Sequence, residues 1–147
     1  MIMNEINPRS EGAARILIVE DEKTLMDIYS LVLGKAGYEV IKATDGVAGL
    51  EAAIHGSPDV VLLDLALPLK NGFEVLRDLR RNPQTAATPV VIISNLAQDY
   101  EVKTGLSLGA DRFLVKTEIN PDKLPGEIAA ILSKKAPGSR TGGEGSN

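Results

Sequence analysis

Four short apolar runs in this chain are each followed at once by a residue capable of polar chemistry. Ile16–Val19 is followed by Glu20-Asp21-Glu22, Val60–Leu63 by Asp64, Val90–Ile93 by Ser94-Asn95, and Phe113–Val115 by Lys116. Brought to one edge, they would assemble two or three carboxylates, a hydroxyl and an ammonium. Carboxylates packed together repel, and burying them without a cation is costly. Zinc is a poor match, because the chain has no cysteine and its only histidine, His55, falls on a predicted helix. Oxygen donors with room for water suit Mg²⁺, which takes one or two carboxylates plus a phosphate oxygen and keeps several waters. A hydroxyl and a lysine opposite the cation would neutralise the equatorial oxygens of a phosphoryl group. Neutralisation and alignment make up nearly all the catalysis that phosphoryl transfer requires. A carboxylate can itself accept the group, giving an acyl phosphate. Taken singly, an acid after a strand is better explained as a helix cap or a solvated loop residue, Ser94 as a cap and Lys116 as a surface charge. Their shared position behind apolar runs is what carries the chemistry.

That chemistry needs elements that bring the four run ends together. The runs have strand length, with a weaker fifth at Glu39–Ala43, and residues apolar in succession suggest strands covered on both faces of a parallel sheet. Helical spacing fills the gaps. Leu25, Tyr29, Val32 and Ala36 recur before the stop at Gly37. Val47, Leu50 and Ile54 follow Asp45-Gly46, and Phe73, Leu76 and Leu79 follow Asn71-Gly72 and end near Pro83. Gln98–Leu108 has weaker helical character because Gly105 interrupts it. A last helix carries Ile128, Ile131 and Leu132, and Pro125 four residues after Pro121 predicts an irregular or delayed start. Five β-α units in alternation imply right-handed crossovers and helices on both faces of the sheet. Ligands in such folds bind beyond the carboxyl ends of the strands, where the strand order reverses.

The totals are consistent with one small domain. The 147 residues are 44% hydrophobic and 24% charged, with aromatics at only 3%, so the core must be aliphatic. A net charge of −4 argues against a direct nucleic-acid surface. The missing cysteines exclude disulfides and thiol nucleophiles. No apolar run approaches the roughly 20 residues that span a bilayer. The polar start, with Asn4, Glu5, Asn7, Arg9 and Glu11, is neither a signal peptide nor an anchor, which predicts a cytoplasmic protein. The expected organisation is a flexible extension over 1–14, a folded domain over 15–135 and a disordered tail over 136–147.

At the level of motifs the chain resembles the receiver domain of two-component response regulators over about Arg15 to Lys134. The resemblance is carried by Ile16-Leu17-Ile18-Val19-Glu20-Asp21-Glu22 and by Val61-Leu62-Leu63-Asp64-Leu65-Ala66-Leu67-Pro68 with Asn71-Gly72. It continues through Pro89-Val90-Val91-Ile92-Ile93-Ser94 and Gly109-Ala110-Asp111-Arg112-Phe113-Leu114-Val115-Lys116. It implies a three-layer flavodoxin-like (βα)5 fold with parallel strand order 2-1-3-4-5. Asp64 would then be the phosphoacceptor. Asp21, Asp64 and the Ala66 backbone carbonyl would bind Mg²⁺, and Glu20 would act through water. Ser94 and Lys116 would bind phosphoryl oxygens, and Ser94 with Phe113 would form the switch. The donor implied is a phosphohistidine on a histidine kinase or histidine phosphotransfer protein, with a downstream protein reading the result. Acceptance and loss at Asp64 would be self-catalysed, without the turnover of an enzyme.

The resemblance leaves open whether the chain forms a homodimer, and whether it is a stand-alone receiver or one cut from a longer protein. Asn95 stands where the family usually has a small residue, and there it either narrows access or adds a hydrogen bond to the phosphoryl group. Thr117 stands where proline commonly follows the lysine. A cis bond without proline costs roughly 3–4 kcal/mol, so the sequence leaves the path of that loop open. The rival from another class is a receiver-like docking module that is never phosphorylated, against which the retention of Asp21, Asp64, Ser94 and Lys116 argues. A phosphatase using an aspartyl phosphate would want an aspartate at position 66, which is alanine. A nucleotide-binding enzyme would want a glycine-rich loop after Val19.

Overall fold

The computed structural model describes residues 12–95 and 98–135, so the remainder of the two predicted terminal extensions, 1–11 and 136–147, lies outside the described residues. Five strands alternate with five helices: β1 (Arg15–Val19), α1 (Lys23–Lys35), β2 (Glu39–Ala43), α2 (Gly46–Gly56), β3 (Val60–Leu63), α3 (Gly72–Arg81), β4 (Val90–Ser94), α4 (Asp99–Ser107), β5 (Arg112–Val115) and α5 (Leu124–Lys135). All strand pairs are parallel, in the order β2-β1-β3-β4-β5. The order reverses between β1 and β3, which makes the crevice beyond their carboxyl ends the binding position expected for such a sheet.

Successive strand residues point to opposite faces, and both faces here are covered. Ile16, Ile18, Val60, Leu62, Val91, Ile93 and Leu114 pack with Met26, Tyr29 and Leu33 of α1 and Ile128 and Ile131 of α5. Leu17, Val19, Val61, Leu63, Val90 and Ile92 pack with Ala53 of α2 and Val75, Leu76 and Leu79 of α3. This two-sided burial is why β1, β3 and β4 are apolar at consecutive positions. Arg15 and Ser94 extend β1 and β4 by one residue beyond their apolar runs, and Arg112 does so for β5.

Local signals set the helix ends. Asp45 caps α2 by accepting from Ala48 N–H at 2.7 Å. Asn71 and Glu74 form a reciprocal capping box at the start of α3, each bond 3.0 Å. Helix α1 stops at Lys35. Ala36, expected within it, is the C-cap, and Gly37 follows at φ +99°. The Gly37 and Tyr38 N–H groups bond back to the carbonyls of Gly34 and Leu33, a Schellman closure that needs the left-handed residue. The irregular start expected before α5 is a 3-10 turn over Pro121–Lys123, capped by Asn120. Pro125 thus enters as the second residue of α5, among N–H positions that need no helical partner.

Candidate functional site

The residues directly beyond the strands are held as firmly as the strands themselves, because the ladder hydrogen bonds continue one step past each strand end. Glu20 N–H donates to Ala43 O at 3.0 Å, Asp64 N–H to Val19 O at 3.1 Å, and Lys116 N–H to Ser94 O at 3.0 Å. These bonds set the height of each side chain at the carboxyl edge. Two close approaches then shape the β3–α3 loop. A Cβ at Gly72 would overlap the Asp64 carbonyl oxygen and lie 2.7 Å from Leu65 Cα, so the return of the chain behind Asp64 requires glycine. A Cβ at Gly46 would overlap the Lys70 carbonyl, and Gly46 N–H donates to Pro68 O at 3.2 Å. The same loop is tied down by a Lys70–Asp78 ion pair of 2.7 Å.

Within this frame Glu20, Asp21 and Asp64 each present a carboxylate oxygen within 4.8 Å of the others. Glu20 is 1% exposed and Asp64 3%, whereas Asp21 is exposed at the mouth. Lys116 Nζ lies between the two buried acids, 2.9 Å from Glu20 Oε1 and 3.1 Å from Asp64 Oδ2. The second oxygen of Glu20 accepts from Glu22 N–H at 2.9 Å, and Asp64 Oδ1 accepts a long bond of 3.4 Å from Ala66 N–H. Ser94 is buried at 1% exposure at the end of β4, and Asn95 next to it is exposed. Phe113, half-buried, stands beside Ile92 in the β4–β5 register and packs on the α2–α3 core. Ala66 is exposed in the loop, and His55 sits on the outer face of α2, 3.2 Å from Glu51. Thr117 follows Lys116 without a cis bond, and the turn closes through Glu118 and Ile119 N–H groups onto Val115 O.

Burial pushes the Asp64 carboxyl above the usual carboxylate range, and the Glu20 charge adds to the push. Lys116 and the Ala66 N–H pull it back. Burial also works against the Lys116 ammonium, but its bonds and charge contacts to Glu20 and Asp64 outweigh that, so its pKa is raised. Tyr29 on α1 feels the same cluster. Its hydroxyl is pushed up to about 12, mainly by burial, with the Lys116 charge opposing and Glu20, Asp64 and Glu22 adding.

Three carboxylates against one ammonium give a formal charge of −2 at the edge. The donors are hard oxygens, one set is buried and one faces water, and a divalent cation would balance the charge. The residues present therefore fit Mg²⁺.

The structure brings Glu20, Asp21, Asp64 and Lys116 into one cluster, with Ser94, Asn95 and Ala66 on the elements bordering it. Sequence reasoning missed the close approach of Gly46 to the β3–α3 loop, and gave Tyr29 only as a residue of the helical pattern, not as a neighbour of the acidic cluster. The signal for Gly46 was Asp45-Gly46, which served only as a helix start, whereas Asn71-Gly72 was already part of the motif that follows Asp64.

Comparison with known proteins gives a consistent result. The family model described as response regulator receiver domain matches residues 16–129. The DNA-binding dual master transcriptional regulator RpaA of Synechocystis is 37% identical over 120 residues, covering 82% of this chain and 49% of RpaA. The chain thus spans about half the length of that relative. Protein PilH of Pseudomonas aeruginosa is 38% identical over 120 residues, covering 82% of this chain and 98% of PilH. Among solved structures, chemotaxis protein CheY4 of Vibrio cholerae superposes with a TM-score of 0.76 at 30% identity, covering 82% of this chain and 99% of CheY4.

Proposed function

The chain belongs to the response regulator receiver domain family, whose function is phosphoryl acceptance, and from that premise we propose that Asp64 is the accepting residue. The observation that carries the proposal is the buried Asp64 carboxylate, bridged through Lys116 to a second buried acid at the strand-order reversal. The domain doing this is the folded unit over 15–135.

The donor is a phosphohistidine on a histidine kinase or phosphotransfer protein. An Asp64 carboxylate oxygen forms the new O–P bond as the N–P bond of the donor breaks, and the electron pair of that bond returns to the imidazole. Lys116 Nζ and the Ser94 hydroxyl bind phosphoryl oxygens, with Asn95 at the mouth as a further donor. Glu20, through water, and Asp21, Asp64 and the Ala66 carbonyl would hold Mg²⁺, which supplies neutralisation of the charge gathered on the phosphoryl oxygens. The firm ladder bonds behind Glu20, Asp64 and Lys116 keep these groups oriented, so little reorganisation is needed during transfer. Retention of the phosphoryl oxygens by Ser94 shifts Ser94 and Phe113 between two arrangements, and a downstream protein distinguishes them.

The test is incubation of the protein with Mg²⁺ and a small phosphodonor, followed by intact mass. One added phosphoryl group is expected, absent in Asp64→Asn. No gain in the parent chain, or an equal gain in Asp64→Asn, would sink the assignment.

A further inference from the structure

Between Asp64 and helix α3 the chain makes two tight turns. Leu67 N–H donates to Leu65 O at 3.1 Å and Lys70 N–H to Pro68 O at 2.7 Å, so Ala66 and Leu69 each stand at the centre of a three-residue turn. Leu69 does so at φ +71°, which makes its turn the rare, strained γ form. Its side chain is 79% exposed and buries almost nothing that would offset the strain. Such a conformation persists only where the surroundings over-determine it.

The surroundings here are the first turn of α2. Gly46 N–H donates to Pro68 O at 3.2 Å, the same carbonyl that closes the turn at Leu69. A Cβ on Gly46 would overlap Lys70 O and lie 2.6 Å from Lys70 C and 2.7 Å from Lys70 Cβ. The oxygen and the carbon are backbone atoms, so no side-chain rotation relieves the overlap, and the loop or the helix must move. The far end of the loop is fixed. Lys70 pairs with Asp78 at 2.7 Å, Asn71 belongs to the α3 capping box, and Gly72 fits against the Asp64 carbonyl. Leu65 and Leu67 are buried, which leaves the exposed Ala66, Pro68 and Leu69 to shift.

We propose that Gly46 is a positioning residue for the cation site. Its missing side chain lets α2 hold the loop in the path that carries Ala66 past Asp64. This rests on the reading of Asp21, Asp64 and the Ala66 carbonyl as Mg²⁺ ligands. A carbonyl ligand has no rotamer of its own, so its place is set by the path of the backbone that bears it. Coupling of this kind is reciprocal: a contact between α2 and the loop that favours the ion is itself favoured by the ion.

The test is an NMR titration of the whole ¹⁵N-labelled chain with Mg²⁺, followed at the Asp64 and Ala66 amides. The variants are Gly46→Ala and, as control, Gly56→Ala at the other end of α2, where an added Cβ meets only the tip of Ile41 at 3.0 Å. Both gain helix propensity, and only the first touches the loop. Gly46→Ala should bind Mg²⁺ roughly tenfold more weakly than the parent, the order of loss that follows when the support of a metal ligand is disturbed. Gly56→Ala should match the parent. Equal affinities in the two variants would overturn the proposal, even where Gly46→Ala is the less stable to urea.

The parent chain supplies a second measurement that does not depend on a variant folding. Adding Mg²⁺ should slow hydrogen exchange at the Gly46 and Lys70 N–H groups, both bonded to Pro68 O. Exchange at Gly37 N–H, which closes the C-terminal end of α1, should not change. Unchanged exchange at Gly46 in a parent chain that binds Mg²⁺ would also overturn the proposal. A parent chain that binds no Mg²⁺ would overturn the cation reading, and this proposal with it. The assignment of Asp64 is read separately, by phosphoryl uptake in the intact mass.

Discussion

Replacing Lys116 by methionine isolates the electrostatics of the site. The Lys116 ammonium is 2.9 Å from Glu20 Oε1 and 3.1 Å from Asp64 Oδ2, and both acids are at most 3% exposed. Methionine keeps most of the apolar stem, so the main change is loss of the charge. Two buried carboxylates then face each other without a counter-ion. Removing one partner of a buried ion pair costs about 3–5 kcal/mol. The lysine side chain keeps 11% exposure, so water reaches the cluster and the expected loss falls to about 2–4 kcal/mol.

Two features make this loss recognisable. Mg²⁺ should recover a larger share of stability in Lys116→Met than in the parent, because the cation replaces the missing charge. The deficit should also shrink as pH falls from neutral toward about 5. Burial and the Glu20 charge already raise the Asp64 carboxyl, and the variant loses the opposing pull of the ammonium, so the folded chain binds a proton there more readily than the unfolded one and gains stability as protons are supplied. Urea unfolding followed by far-UV circular dichroism, at both pH values with and without Mg²⁺, measures all of this. A loss below about 0.5 kcal/mol, typical of exposed pairs, would refute the reasoning, as would equal stabilisation of both chains by Mg²⁺.

Two other perturbations test the frame around the cluster. Gly72→Ala must displace backbone behind Asp64, since the new Cβ would overlap the Asp64 carbonyl oxygen. It should lower urea stability by about 1–3 kcal/mol and slow phosphoryl uptake; an unchanged midpoint would show that the loop yields freely. Tyr29 ionises at about 12 in the folded chain, against about 10 when unfolded. Between those values the unfolded chain has lost the proton and the folded chain has not, so stability should fall as pH rises through that window. Tyr29→Phe should remove that alkaline decline relative to the parent, and an identical slope in both chains would contradict the buried hydroxyl.

Much of this molecule is legible residue by residue. Val60–Leu63 is apolar throughout because its strand is covered on both faces, and Asp64 follows, still buried, where the strand gives way to the loop. The Asn71 and Glu74 capping box is written within four residues and forms as such. Helix α4 was the weakest expectation because Gly105 lowers its propensity. It forms nonetheless, and it packs so close to β4 that a Cβ at Gly105 would lie 2.8 Å from Ile92 Cδ1. Propensity counts the loss within the helix, and only packing shows the gain across it.

The sequence by itself determined the alternation of strands and helices, the faces they bury, and which polar residues stand at the carboxyl edge. Those follow from side-chain hydrophobicity and spacing over a few neighbouring positions. Tertiary structure alone decided that Lys116 bridges Glu20 and Asp64, residues 96 and 52 positions before it. It also decided that Gly46 and Gly72 close the loop beneath the acid, and that Tyr29 lies within reach of the cluster's charge. Distances of 3 Å between remote residues depend on the register of five strands and the seating of helices on them. No local run of sequence contains that sum.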